Sequence, residues 1–364
     1  MRGLDATNKQ IEIPYLLKIG NNKIAKVGKY LFDKGMFHIA LFLGEGIDGL
    51  IGKDLRGGLS ECDIEIVHEQ VVRSVDIDEI THSAFSIPAP DAIVGIGGGK
   101  ALDFAKYTAH LLRIPFISIP TAISNDGFGS SSASLTISGK RKSVKAASPF
   151  GIVIDLDVIK DSPDVFMYSG LGDMLSKVTA LKDWQAARDK KLERFVDFSS
   201  MMAYNSLDIL FLKHSYSIHS ENFQRSLASS LMISGLAMEI AGSSRPASGS
   251  EHLISHALDE VCAKPKMHGI QVGVATYLCA LLQENEQCEN IKTVFEKTGF
   301  LNFVQQDPFC FREFTRALKL APAMKRNYYT VLSEPNSFSM AIDFIENDSL
   351  LKTVIINPTD QASF

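Results

Sequence analysis

Apolar residues follow two rhythms along this chain, and the change between them falls near Asp161. Before it, short apolar runs alternate with segments of helical spacing, the pattern of a parallel sheet wrapped by helices. Ile11-Glu12-Ile13 reads as an edge strand, and Ile24, Val27 and Leu31 mark one helical face. Phe37 to Leu43, Ile64 to Val67, Asp91 to Ile96, Pro115 to Pro120 and Ile152 to Asp155 read as further strands. Val75 to Thr81 is acidic and helix-like, and Leu102, Ala105, Ala109 and Leu112 recur at helical spacing. Ser134 to Ala146 breaks this rhythm and reads as a β-hairpin turning on Ser138-Gly139. After Asp161, helical periodicity dominates: Val178 to Lys190, Phe195 to His219, Phe223 to Ile240 and Gly269 to Leu282. The expected architecture is an α/β, Rossmann-like domain over residues 1–161 and an all-α domain over residues 162–364.

Composition narrows the class. Charged residues at 22% and hydrophobic ones at 45% fit a soluble globular protein. A net charge of -5 argues against a nucleic-acid binder, which needs a basic surplus. The runs at Leu41 to Leu43 and Leu278 to Leu282 are too short to span a membrane. Met1 to Asp5 lacks the apolar core of a secretory leader. Five scattered cysteines, with no CxxC pair, fit a reducing cytoplasm and no thiolate metal site.

Three stretches carry candidate chemistry. Gly97-Gly98-Gly99-Lys100 sits where a strand runs into a helix, a place where free N–H groups cradle phosphate. It matches neither GxGxxG nor a Walker loop, and a tight structural turn is the alternative. The next strand ends in Thr121 to Ser130, crowding hydroxyl, amide and carboxylate groups at the ligand-binding edge of the sheet. Thr121, Ser124 and Ser130 are candidates to meet a cofactor and Asp126 substrate hydroxyls; taken alone, the stretch reads as a polar loop rich in turn formers. Finally, His252 and His256 lie one helical turn apart, behind a turn-prone run in which Ser248 or Ser250 would cap the helix. Asp173, placed at a helix start, and His268, ahead of another helix, complete an oxygen–nitrogen set suited to zinc or ferrous iron. The glutamate precedes His252, so this is not an HExxH site. The basic hairpin Lys140 to Lys145 reads first as a solvated turn, the alternative being that it and Arg245 receive a substrate phosphate. Glu45, after the second strand, is either a ribose-binding acid that repels a 2′-phosphate or a bare surface glutamate.

Read together, the glycine turn, Thr121 to Gly127, Gly172-Asp173, Ser244 to His252 and Met267-His268-Gly269 occur in one family order. They resemble the sn-glycerol-1-phosphate dehydrogenases, within the superfamily of glycerol dehydrogenases, iron-containing alcohol dehydrogenases and dehydroquinate synthases. The resemblance covers about Asp91 to Gly273. It implies NAD(P)-linked interconversion of dihydroxyacetone phosphate and sn-glycerol 1-phosphate. It implies one divalent metal, usually zinc with iron or nickel as alternatives, on Asp173, His252 and His268. It implies that Gly97, Gly98, Gly99, Lys100, Ala101, Thr121, Ala122, Ile123, Ser124 and Ser130 line NAD or NADP. Asp126, His256 and Asp173 would meet the substrate, and a homo-oligomer is the expected assembly. Asp173 speaks against the cyclases, which carry glutamate there. A polyol dehydrogenase acting on an unphosphorylated substrate is the close rival, and a non-catalytic nucleotide binder the distant one. Two positions depart from the family pattern: Ser131 stands where proline is expected and Gly129 where alanine is commoner.

Overall fold

The computed structural model describes residues 11–211 and 216–357, so the N-terminal reading at Met1 to Asp5 lies outside the described residues. Six parallel strands form the main sheet: β1 (Leu16–Gly20), β2 (His38–Gly44), β3 (Glu65–Val72), β4 (Ala92–Gly97), β5 (Phe116–Pro120) and, after a hairpin of β6 (Ser132–Ile137) and β7 (Lys140–Lys145), β8 (Gly151–Asp155). Their order is β1-β8-β5-β4-β2-β3. Helices α1 (Val27–Phe32) and α2 (Ile47–Ser60) cover one face, while α3 (Ile77–Ser86) and α4 (Gly99–Leu112) cover the other. Burial on both faces explains why β2 and β4 read as unbroken apolar runs: Ile39, Leu41, Val94 and Ile96 pack to one side, Phe42 and Ile93 to the other.

The remaining chain is helical: α5 (Leu156–Lys160), α6 (Asp164–Leu175), α7 (Lys177–Asp189), α8 (Asp197–Phe211), α9 (Glu221–Ala241), α10 (Ser250–Val261), α11 (His268–Leu282), α12 (Cys288–Thr298), α13 (Phe300–Gln305), α14 (Phe311–Leu320), α15 (Ser337–Asn347) and α16 (Leu351–Val354). Two short strands, β9 (Phe309–Cys310) and β10 (Ile355–Ile356), pair within it. One continuous apolar cluster runs from Phe42 and Phe116 of the sheet through Leu171 and Leu231 to Leu278 and Ile345, so sheet and helices share a core.

Several elements differ from the sequence expectation. The first strand begins at Leu16, not Ile11. Pro14 offers no N–H for a ladder, and Ile11 and Ile13 stay largely exposed. The third strand is longer than expected, and α3 begins at Ile77, where the Asp76 carboxylate accepts from the Asp78 N–H. Helix α2 was not expected, because four glycines (Gly49, Gly52, Gly57, Gly58) dilute its apolar face. Of the long helix expected over Phe195 to His219, α8 is described over Asp197–Phe211, residues 212–215 lie outside the described residues, and Ser220 caps α9. The hairpin holds: Ser138 and Gly139 both take positive φ, the twist a two-residue turn needs.

The contact that positions the functional residues is between α6 and α11. Helix α6 is buried almost all round, which hides the stripe by which a half-buried helix is recognised in sequence. A Cβ on Gly172 would lie 2.0 Å from the Gly269 carbonyl oxygen, and one on Gly269 would lie 1.8 Å from that of Ser169. The two helices therefore meet backbone to backbone, at the residues next to Asp173 and His268. Gly172→Ala must force them apart, and an overpacking cost of about 1–3 kcal/mol is expected in urea unfolding. An unchanged midpoint would mean that the helices do not depend on this approach.

Candidate active site

The carboxyl edge of the sheet opens into a cleft of ≈ 420 Å³ whose far wall is made by α6, α10 and α11. Asp173 reaches it from the last turn of α6, not from a helix start as the sequence suggested. His252 and His256 reach it from successive turns of α10, and His268 is the first residue of α11. Asp173, His252 and His268 each offer one ligand atom, and these atoms lie within 4.8 Å of one another. His252 Nε2 stands 3.5 Å and His268 Nε2 3.8 Å from Asp173 Oδ1.

Hydrogen bonds leave the correct nitrogens facing inward. His252 Nδ1 donates to Glu251 Oε1 at 2.8 Å, so Nε2 is the nitrogen turned towards Asp173. The Ser255 hydroxyl gives its hydrogen to Gln271 Oε1 at 2.7 Å, so at 3.1 Å it accepts from His268 Nδ1. Gln271 is held in turn by its amide, which donates to Asp259 and the Lys266 carbonyl. Two imidazole nitrogens and a carboxylate oxygen, with ring tautomers fixed from behind, fit a small divalent metal. Neither Ser248 nor Ser250 caps α10. The N-cap is Gly249, whose N–H donates to the Glu251 carboxylate at 2.6 Å.

The electrostatics follow from burial and pairing. For Asp173, burial acts upward, but Lys177 and the histidines outweigh it and hold the carboxyl well below its usual range. Burial acts downward on His252, and the Asp173 and Glu251 carboxylates more than offset it, so the imidazole is raised above its ordinary value. His268 is pushed down to about 4 by burial and by His252. His256 is pushed down to about 3 by burial, with His252, His268 and Lys325 adding to it. His256 is thus a neutral imidazole at pH 7, suited to positioning rather than to storing a proton.

Lys177 escaped the sequence reading. Its fully buried ammonium donates to the Asp173 carbonyl at 2.6 Å, stands 2.9 Å from Asp126 Oδ2 and lies 3.4 Å from Asp173 Oδ2. The signal was there, a lysine four residues after Asp173 in an apolar run. Asp126 is fixed further by the Ser234 hydroxyl at 2.7 Å, and its own N–H donates to Asp173 at 3.0 Å. Buried Lys106 of α4 ties the same loop down, donating to the carbonyls of Gly127 and Ser132.

On the opposite wall, Gly97 ends β4 with φ near 143° and backs directly onto Gly44 at the end of β2, which closes the strand ends together. Gly98 and Gly99 face open space, and α4 starts without a side-chain cap, so its first N–H groups are free. Gly99, Lys100, Ala122, Ser124, Asp126 and Ser130 line the cleft. Ala101 and Ile123 turn their side chains into the core, and Thr121 donates its backbone N–H to Gly97. Among the expected phosphate ligands, Arg141 and Lys142 line the cleft, whereas Arg245 is buried and clamped by the Glu193 carboxylate at 2.5 and 2.6 Å. Glu45 stands exposed, 3.4 Å from Arg73. The two departures have local partners: Ser131 hydrogen-bonds Glu239, and Gly129 lies against the α9 backbone at Met232.

The profile of iron-containing alcohol dehydrogenases matches residues 18–163. The glycerol-1-phosphate dehydrogenase [NAD(P)+] of Metallosphaera sedula is 34% identical over 333 residues, 89% of this chain and 93% of its own length. That of Methanosarcina barkeri is 31% identical over 328 residues, 89% of this chain and 92% of its own. In fold, the chain is similar to glycerol dehydrogenase from Schizosaccharomyces pombe, with TM-score 0.74 at 19% identity over 95% of this chain and 91% of that one. Sulfoacetaldehyde reductase from Bifidobacterium kashiwanohense, solved with NAD+, gives 0.71 at 14% identity over 93% and 98%. At this identity over nearly its whole length, the chain belongs to the glycerol-1-phosphate dehydrogenase family.

Proposed function

We propose that this protein interconverts dihydroxyacetone phosphate and sn-glycerol 1-phosphate with NAD(P)H as hydride donor and a divalent metal, zinc by preference. The observation that carries the reading is the meeting, in one cleft, of an uncapped helix start and the Asp173, His252 and His268 cluster. In this reading residues 1–161 bind the cofactor and residues 162–364 the metal and substrate. The N–H groups at Gly98 to Lys100 take the cofactor's phosphates, favoured by the positive end of α4. Ala122, Ser124 and Ser130 extend that wall towards the nicotinamide, with Thr121 bracing Gly97.

When bound to the Asp173, His252 and His268 side chains, a metal supplies Lewis-acid chemistry towards the ketone oxygen. The protein's own groups do the rest. Lys177 holds Asp126 and Asp173 in place and screens two carboxylates that would otherwise repel across a dry site. Asp126 Oδ2 is committed to Lys177 and Ser234, leaving Oδ1 to accept from a substrate hydroxyl. Neutral His256 orients the substrate by a hydrogen bond. The scattered thiols fit a cytoplasmic setting. Exposed Ile13, Tyr15, Leu17 and Phe198, on and near β1, the edge strand among the described residues, support a homo-oligomer.

The deciding assay follows NADH oxidation by zinc-loaded protein with dihydroxyacetone phosphate and with dihydroxyacetone, before and after chelation. Preference for the phosphorylated ketone, abolished by chelator, is expected; preference for the free ketone would move the protein to the polyol dehydrogenases. Glu251→Gln removes the charge that fixes His252, and zinc affinity is expected to fall about 10–100-fold in a chelator competition. In the same titration, the raised His252 holds a proton that metal must displace, while His268 at about 4 is already neutral. Zinc affinity should therefore drop about tenfold per pH unit below the His252 value and level off above it. A flat profile across the neutral range would show that no such proton is displaced.

A further inference from the structure

Of three lysines in and around the cleft, Lys106 and Lys177 are fully buried and Lys325 is half-buried, and they differ in one further respect. Lys106 and Lys177 are saturated by carbonyls and carboxylates. Lys325, between α14 and α15, lines the cleft and donates only to the Ser244 hydroxyl, at 3.3 Å. Among the described residues no carboxylate reaches it. Its neighbours Glu193 and Glu251 act on it only at a distance, because the first is spent on Arg245 and the second on His252, Thr179 and Gly249.

A half-buried ammonium with no counter-charge in contact favours an anion that comes to it. Burial and the nearby Arg245 guanidinium push Lys325 below its ordinary range, as an unpaired cation should be. The fold nevertheless holds it there. Both cations lie over the Tyr328 ring, Arg245 at 3.5 Å and Lys325 at 4.4 Å from its centroid. The Tyr328 hydroxyl is pinned to the Ser248 carbonyl, and Arg245 also donates to the Tyr329 carbonyl at 2.8 Å. Arg245 is thus the brace, and Lys325 the charge presented to the cleft on the His256 side. Arg141, a basic residue on the rim, has acids of its own nearby, Asp103 and Asp259.

Resting on the proposed substrate, we infer that Lys325, with the Ser244 hydroxyl beside it, binds the substrate's phosphate and sets the preference for phosphorylated over free ketone. A phosphate there replaces the missing counter-charge, and a free polyol leaves the lysine unpaired, so discrimination works against the wrong substrate as well as for the right one.

The test compares wild type, Lys325→Met and Lys325→Arg as zinc-loaded full-length proteins, with circular dichroism and zinc content confirming the fold. For the methionine variant, the ratio of kcat/KM on dihydroxyacetone phosphate to that on dihydroxyacetone should fall at least about 30-fold, the loss lying in KM rather than kcat. Competitive inhibition by inorganic phosphate should weaken in parallel, and arginine should restore part of both. A wild-type preference that survives in Lys325→Met would overturn the assignment alone. A change in KM for NADH instead would also overturn it, giving the lysine to the cofactor's phosphates. A wild type without preference would sink the substrate reading and the role of Lys325 with it.

Discussion

Everything at the Asp173, His252 and His268 cluster depends on how closely α6 and α11 approach. Side chains at Gly172 or Gly269 would occupy space already filled by the opposite backbone, so the helices run at glycine distance. That brings Asp173 and His268, each one residue from the contact, within reach of a common point. His252 is added from α10, which packs against α11 and whose first turn is stiffened by Glu251. Ligand geometry is therefore set by backbone packing and only trimmed by side-chain rotamers.

Behind the cluster, polar groups are arranged in chains rather than pairs. Gln271 to Ser255 to His268, and Thr179 to Glu251 to His252, each fix a ring through a group that is itself fixed. Buried polar networks stabilise only when their members are satisfied, and these nearly are. The same economy reaches the cofactor side. Lys106 carries the position of α4 into the loop of Asp126, and Asp126 meets Lys177. Both walls of the cleft are thus registered to one another through buried charge.

Much of this was legible in the sequence, and what was not has physical reasons. Strands buried on both faces announce themselves as apolar runs, so β2, β4, β5 and β8 were placed to within a residue. The Asp173, His252 and His268 set comes from motifs in family order, since spacing alone is a weak signal, and the fold brings their ligand atoms within 4.8 Å of one another. Helix α6 was missed because a helix buried all round has no polar face, and so Asp173 was put at a helix start instead of a helix end. Ser248 and Ser250 look like caps, yet the sharp turn at Gly249 hands that job to Glu251. Arg245 looked like a phosphate ligand because charge is visible in a sequence and its partner, Glu193, is not. Lys325 carries no local signal at all; only the fold places it by His256.

The buried charges near Lys177 bear on which ions the site tolerates. Asp126, Asp173 and Glu251 face Lys177 and His252 in one connected series, and with His252 protonated a single negative charge is in excess. A divalent ion that displaces the His252 proton brings the series to neutrality. A monovalent ion doing the same would leave the imbalance as it was, and a trivalent one would strand a positive charge away from water. Valence, more than size or softness, is therefore the first filter this site applies, and Lys177 sets it without being a ligand.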